Sequence, residues 1–232
     1  MMKTTKLLTI LLLSICVLNA QSENFSEEMQ KGFDTYSNGE TFLDWKKGAE
    51  ILEKVSESYK DQWLPNYWAS YFYTQLVRNI PKDNRPEGVT EELLLKKSQE
   101  NIDKAYGRIK KMNKEIKSDF HALQSLIYNF SEWTSGNEAL KKEFREKAET
   151  ELKKAISANS NNPLADVIVA TNLVKKGDYQ SVYAGRVLLL TAKRKYDMRI
   201  EPRYMSSHWN EQWIGYWLGS ANKGVEFLTK TE

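Results

Sequence analysis

The chain has 232 residues, 41% of them apolar and 28% charged, with a net charge of +3 at pH 7 and one cysteine. So even a charge balance gives no support to a nucleic-acid partner, which needs a basic patch or stripe. The lone Cys16 rules out an internal disulfide and a cysteine cluster for zinc.

The first residues have the layout of a secretory signal. Lys3 and Lys6 precede an apolar run from Leu7 to Leu18, and the small residue Ala20 stands before polar Gln21 and Ser22. The run is about 12 residues, against roughly 20 needed to span a bilayer. Cleavage after Ala20 is expected, giving a periplasmic or secreted protein of residues 21–232 that forms one helical domain. A lipoprotein with its lipid on Cys16 is the second reading, because Ile15 stands where a small residue is usual. The segment removes two lysines and no acid, so the charge of the remainder falls to +1. No later stretch is apolar for long enough to insert in a membrane.

Proline and glycine are sparse and fall between periodic segments. A first helix is expected from about Ser26 to Tyr36, with Ser26 as N-cap and Gly39 of "SNGE" in a left-handed conformation at its end. A second runs from about Phe42 to Tyr59, with Trp45, Ala49, Leu52, Val55 and Tyr59 in register. A third starts at Pro65, whose fixed φ suits a first turn. "IPKDNRPEGVT" is the clearest loop, and Thr90 caps a long helix through about Met112. The next is expected from Ser118 to Trp133 with Ser118 as its cap. "TSGN" separates it from "EALKKEFREKAETELKKAISAN". Pro163 opens another helix, Gly177 and Asp178 turn the chain into "YQSVYAGRVLLLTAKRKYD", and a last helix runs from about Asn210 to Leu228. No segment alternates with period two for long enough to form a strand, although "VLLL" alone is ambiguous. The expected class is all-α, with about nine helices.

Bulky residues recur at positions 0, +3, +4 and +7 in three helices: Trp68/Tyr71/Phe72, Leu123/Leu126/Ile127/Phe130, and Asp166/Val169/Ala170/Leu173. Ala148, Leu152 and Ala155 share a face of the helix before "NNP". This part of the chain resembles the tetratricopeptide repeat: Ala148, Leu152 and Ala155 match its second helix, and Val169, Ala170, Leu173, Gly177, Asp178 and Tyr179 match the first helix and turn of a following copy. Asp166 replaces the anchoring Trp, and Ser160 stands where proline is usual. The helix starts at 68, 123 and 166 depart from the regular period of roughly 34 residues. With "WLPNYWASYFY" early and "HWNEQW" late, the whole chain is similar to tetratricopeptide-like proteins exported by Gram-negative bacteria of the Bacteroidota type. The resemblance implies antiparallel helix pairs stacked as a right-handed superhelix with a concave face; a compact bundle without repeats is the alternative. It implies no activity.

Catalytic groups are scarce. His121 and His208 are the only histidines, and the H-E-x-x-H helix, the G-x-S-x-G elbow and the phosphate-binding loops are absent. His121, near a helix start, suits a surface or capping role. A glycosidase-type acid pair is open among 31 acids, but most of these alternate with lysine on solvated helix faces. No enzyme activity, cofactor or metal is expected.

Aromatic clusters carry the functional lead. Trp209, Trp213 and Trp217 step by four, as a buried stripe does, and Trp68, Tyr71 and Phe72 form another. Tyr67, Tyr73, His208 and Tyr216 lie off these stripes and are the expected ligand contacts. The function expected is a non-catalytic binding or scaffold protein that holds a peptide segment or partner protein. The alternative is a small-ligand or glycan-binding protein using the aromatic clusters.

Overall fold

A computed structural model describes residues 23–81, 85–198 and 211–229, with side chains in the last segment described from Ile214 onward. The signal segment and His208 therefore lie outside the described residues. Nine helices and no strand occur among the residues described. They are α1 (23–37), α2 (Phe42–Ser58), α3 (Leu64–Arg78), α4 (Glu91–Arg108), α5 (Lys114–Thr134), α6 (Glu138–Ala158), α7 (Pro163–Val174), α8 (Tyr179–Asp197) and α9 (Glu211–Thr229). "VLLL" is part of α8.

Local chemistry sets most of the starts. The Thr41 hydroxyl accepts from the Asp44 N–H while the Asp44 carboxylate accepts from the Thr41 N–H, a reciprocal cap for α2. Thr90, Asn137, Asn162 and Asp178 cap α4, α6, α7 and α8 through side-chain oxygens. Proline lies in the first turn of α3 and of α7. At Gly177 the left-handed backbone, φ 79°, ends the α7 side of the turn.

Three expected ends are corrected. Ser26 lies inside α1, which has begun by residue 23. Gly39 keeps out of the left-handed region; its carbonyl instead accepts the Trp45 indole N–H at 2.8 Å. Asn113, not Ser118, caps α5, because its carboxamide reaches the Ile116 N–H a turn before the apolar run begins.

Ser118 has a different use. Its hydroxyl donates across to the Ala155 carbonyl of α6, and the Ser125 hydroxyl does the same to the Ala148 carbonyl, both at 2.8 Å. Each pair is seven residues apart on its own helix, running in opposite directions. So α5 and α6 are antiparallel, and small residues let their backbones approach. Similar cross-links run antiparallel through the other neighbours: Ser56 to Asn66 and Glu53 to Tyr73 join α2 and α3, Asn66 to Asn101 and Ser70 to Ser98 join α3 and α4, and Asp166 to Lys195 joins α7 and α8. At the start of the chain Gly48 lets α2 meet α1, since a Cβ there would come within 2.8 Å of the Tyr36 backbone nitrogen.

Every helix thus packs on its chain neighbours, and α3, α5, α7 and α9 also touch in succession. These odd-numbered helices form a continuous row, with their even-numbered partners packed beside them. The central element is α3. Its residues from Leu64 to Val77 are all buried, as a helix apolar around most of its circumference requires. Phe33 meets the Trp68 ring edge-on at 4.6 Å, and Tyr36 stacks on Phe72 at 3.7 Å.

The repeating core pattern is present with one shift. Trp68/Tyr71/Phe72 and Leu123/Leu126/Ile127/Phe130 are buried as expected. In α7 the same spacing falls on Leu164, Val167, Ile168 and Thr171, all buried, rather than on Asp166, Val169, Ala170 and Leu173. Of the latter four only Ala170 is buried. Asp166 turns toward α8, where Lys195 binds it at 2.7 Å.

Candidate functional site: an aromatic and cationic recess on the inner layer

Gln75 of α3, Phe130 of α5 and Thr171 of α7 are buried near the ends of their helices. One turn further on stand Arg78, Trp133 and Lys175, and these line a common recess of about 200 Å³. Asn129 and Asn172 lie on its wall, and α9 closes one side with Tyr216 and Trp217. Helix C-terminal carbonyls favour cations in this place, so the fold holds two positive side chains at the ends of parallel helices.

The rings are partly open. Trp133 is 63% exposed and Tyr216 57%. Trp133 rests edge-on against Phe130 at 6.0 Å, and Tyr216 is nearly perpendicular to Trp217 at 5.6 Å. The Arg78 guanidinium lies over the Tyr216 ring at 4.9 Å, and the Lys175 ammonium is 6.0 Å from the Trp217 ring centre. The Trp217 indole N–H is buried and meets no acceptor among the described residues.

Lys175 is the least compensated charge in this group. Its ammonium forms no ion pair with a described residue. Desolvation lowers its pKa from the usual lysine range; Glu132 opposes that shift and Arg78 adds to it. Glu132 is itself held by Arg145, at 2.8 Å to Nε and 2.6 Å to Nη2.

Beyond Trp133 the recess opens into a basin between α5, α6 and α7. The two share Asn129, Trp133, Asn172 and Lys175, and Lys141, Arg145 and Glu149 of α6 face the basin. The concavity is therefore continuous from α9 to α6, and its floor changes from aromatic to charged.

The expected ligand contacts divide. Tyr216 is in the recess and accessible. Tyr67 and Tyr73 are corrected to core residues, 0% and 1% exposed, because α3 is enclosed on every side and leaving one stripe there means entering another. Tyr67 packs on Phe120 at 5.2 Å. The Tyr73 hydroxyl donates to Glu53 at 2.8 Å, and burial followed by the Glu53 charge pushes its pKa far up. Glu53 also accepts from Asn101 at 2.8 Å and Lys97 at 3.1 Å. Burial works to raise the Glu53 pKa, yet the hydrogen bonds from Asn101, Tyr73 and Lys97 outweigh it and hold the carboxyl below its usual range. That network is a brace between α2, α3 and α4.

Sequence reasoning passed over Arg78, Asn129, Trp133, Asn172 and Lys175. Part of the signal was available: Arg78, Trp133 and Lys175 each stand one turn past a buried residue (Gln75, Phe130 and Thr171) near a helix end. Trp217, assigned to a packing stripe, packs against the core and also lines the recess. His121 is placed between helices, its Nδ1 2.6 Å from Glu151 of α6. Among the described residues no three His, Cys, Asp or Glu side chains gather as a metal site would need, and no helix is long and apolar enough to cross a membrane.

Fold and recess together define the class: an all-helical protein of adjacent antiparallel pairs with a recess among α3, α5, α7 and α9. Comparison adds no relative to this, since no family model, curated protein or solved structure matches the chain.

Proposed function

We propose that this is an exported, non-catalytic binding or scaffold protein of tetratricopeptide-like architecture. Its helix pairs stack as a right-handed superhelix, and the concave face holds a segment of a peptide or partner protein. The observation that carries the reading is the continuous concavity on α5, α6, α7 and α9, with Trp133 left 63% exposed at the point where recess and basin join. An exposed tryptophan beside a tyrosine and an arginine is the composition of a binding hot spot. Export rests on Lys3, Lys6, the apolar run and Ala20.

Affinity capture from an envelope extract of the producing cell tests this. The wild-type protein is expected to retain a partner that Trp133→Ala retains at least tenfold less, since a hot-spot truncation costs about 2 kcal/mol or more. Equal retention by both proteins would count against the concave face.

A second reading, a small-ligand or glycan-binding protein, is favoured by the recess itself. Its volume of about 200 Å³ lies below the roughly 300–1,000 Å³ of clefts for drug-sized ligands, and it suits a single ring better than a chain.

A further inference from the structure

We infer that the recess between α3, α5, α7 and α9 binds a small organic carboxylate carried on a flat ring. The inference rests on the second reading above and names its ligand class.

Charge comes first. Arg78 and Lys175 bring two cations to one recess, and Glu132, the acid that acts on Lys175, is already held by Arg145 of α6. Lys175 is left without an ion pair among the described residues. An anion beside Lys175 would give it an ion pair, and it would raise the lysine pKa that desolvation lowers.

Hydrogen bonding agrees with this. The carboxamides of Asn129 and Asn172 line the recess and bond to no described residue. The buried Trp217 indole N–H of the same recess also lacks an acceptor among the described residues, and a buried donor left unmet is costly. The indole N–H wants an acceptor oxygen, and the two carboxamides stand ready to donate to one.

The ring is required by the remaining surface. Trp133 and Tyr216 offer accessible faces within a space of about 200 Å³, where a flat apolar body stacks and a bare anion leaves the walls wet. Inorganic phosphate has the charge without the ring, and a neutral aromatic has the ring without the charge.

Calorimetric titration of the purified protein with benzoate and with nicotinate, each beside its neutral counterpart (benzyl alcohol, nicotinamide), and with inorganic phosphate separates these. At least one ring carboxylate is expected to bind saturably, at least tenfold more tightly than its neutral counterpart and than phosphate. Lys175→Gln and Trp133→Ala are each expected to weaken it about tenfold or more while thermal melting stays close to wild type. Equal binding of charged and neutral partners, or phosphate binding as tightly as either carboxylate, overturns the inference. So does a Lys175→Gln protein that melts lower with unchanged affinity, for the lysine then serves only the end of α7. If neither carboxylate binds while partner capture still depends on Trp133, this inference falls and the concave binding surface stands. If both fail, both fall.

Discussion

Trp68→Ala is expected to destabilise the protein by about 3–5 kcal/mol, the range for emptying a buried tryptophan site. Trp68 is 1% exposed and sits at the middle of α3. It touches Phe33 at 4.6 Å, Tyr71 at 5.5 Å and Tyr67 at 5.7 Å, in edge-on geometries that a collapsed site would lose together. Domains of this kind hold only about 5–15 kcal/mol in total, so the loss is a large share. Urea unfolding checks it, with Trp133→Ala as the internal comparison. Trp133 is 63% exposed, and its removal is expected to stay within about 0.5 kcal/mol of wild type. Two tryptophans then differ in opposite ways, one by stability and the other by binding.

Asn101→Leu is expected to cost about 2–3 kcal/mol and to change the acid sensitivity of the fold. Asn101 is 1% exposed; it accepts from the Asn66 carboxamide at 2.7 Å and donates to Glu53 at 2.8 Å. Leucine in its place leaves the Asn66 donor buried without that partner, and such orphaned groups cost about 1–3 kcal/mol each. The pH effect has a defined sign. Burial works to raise the Glu53 pKa, but the hydrogen bonds from Asn101, Tyr73 and Lys97 hold it below the usual glutamate value of 4.5. The ionised brace therefore stabilises the fold above that unfolded value, and its contribution is lost as pH falls through the folded pKa. Without the Asn101 donor the folded pKa moves back up toward the unfolded one. The variant should thus start less stable at pH 7 and lose less of its remaining stability between about pH 5 and pH 2. Thermal melting across that window measures both. A variant whose stability falls as steeply with acid as the wild type would contradict the role given to Glu53.

What could be read from the sequence was whatever depends on short spacing. Helix number, most boundaries, and the buried faces of α3 and α5 follow from period and breakers, because neighbours three and four apart must share a face. Failures came where a side chain answers to another helix. Ser118 looked like a cap because serine at the start of an apolar run often is one; its hydroxyl instead serves the Ala155 carbonyl of α6. In α7 the register slipped by two residues because the resemblance placed Asp166 in a core position, whereas a carboxylate is stabilised by turning to Lys195. Tyr67 and Tyr73 were misjudged for a related reason: one helix's periodicity says which residues share a stripe, but not whether the opposite side is covered too. The recess needed three helix ends and α9 at once. Arg78, Trp133 and Lys175 are separated by tens of residues, and only the parallel stacking of α3, α5 and α7 makes them neighbours.

The claim that the row of odd-numbered helices carries the binding site is tested most directly by site-specific photo-crosslinking. A photoreactive side chain is placed at Trp133, or at Leu43 of α2, which is also well exposed at 61% but lies outside both the recess and the basin. After irradiation in an envelope extract, the account predicts a discrete adduct from position 133 and none from position 43. Adducts of equal yield from both positions, or from position 43 alone, would contradict it.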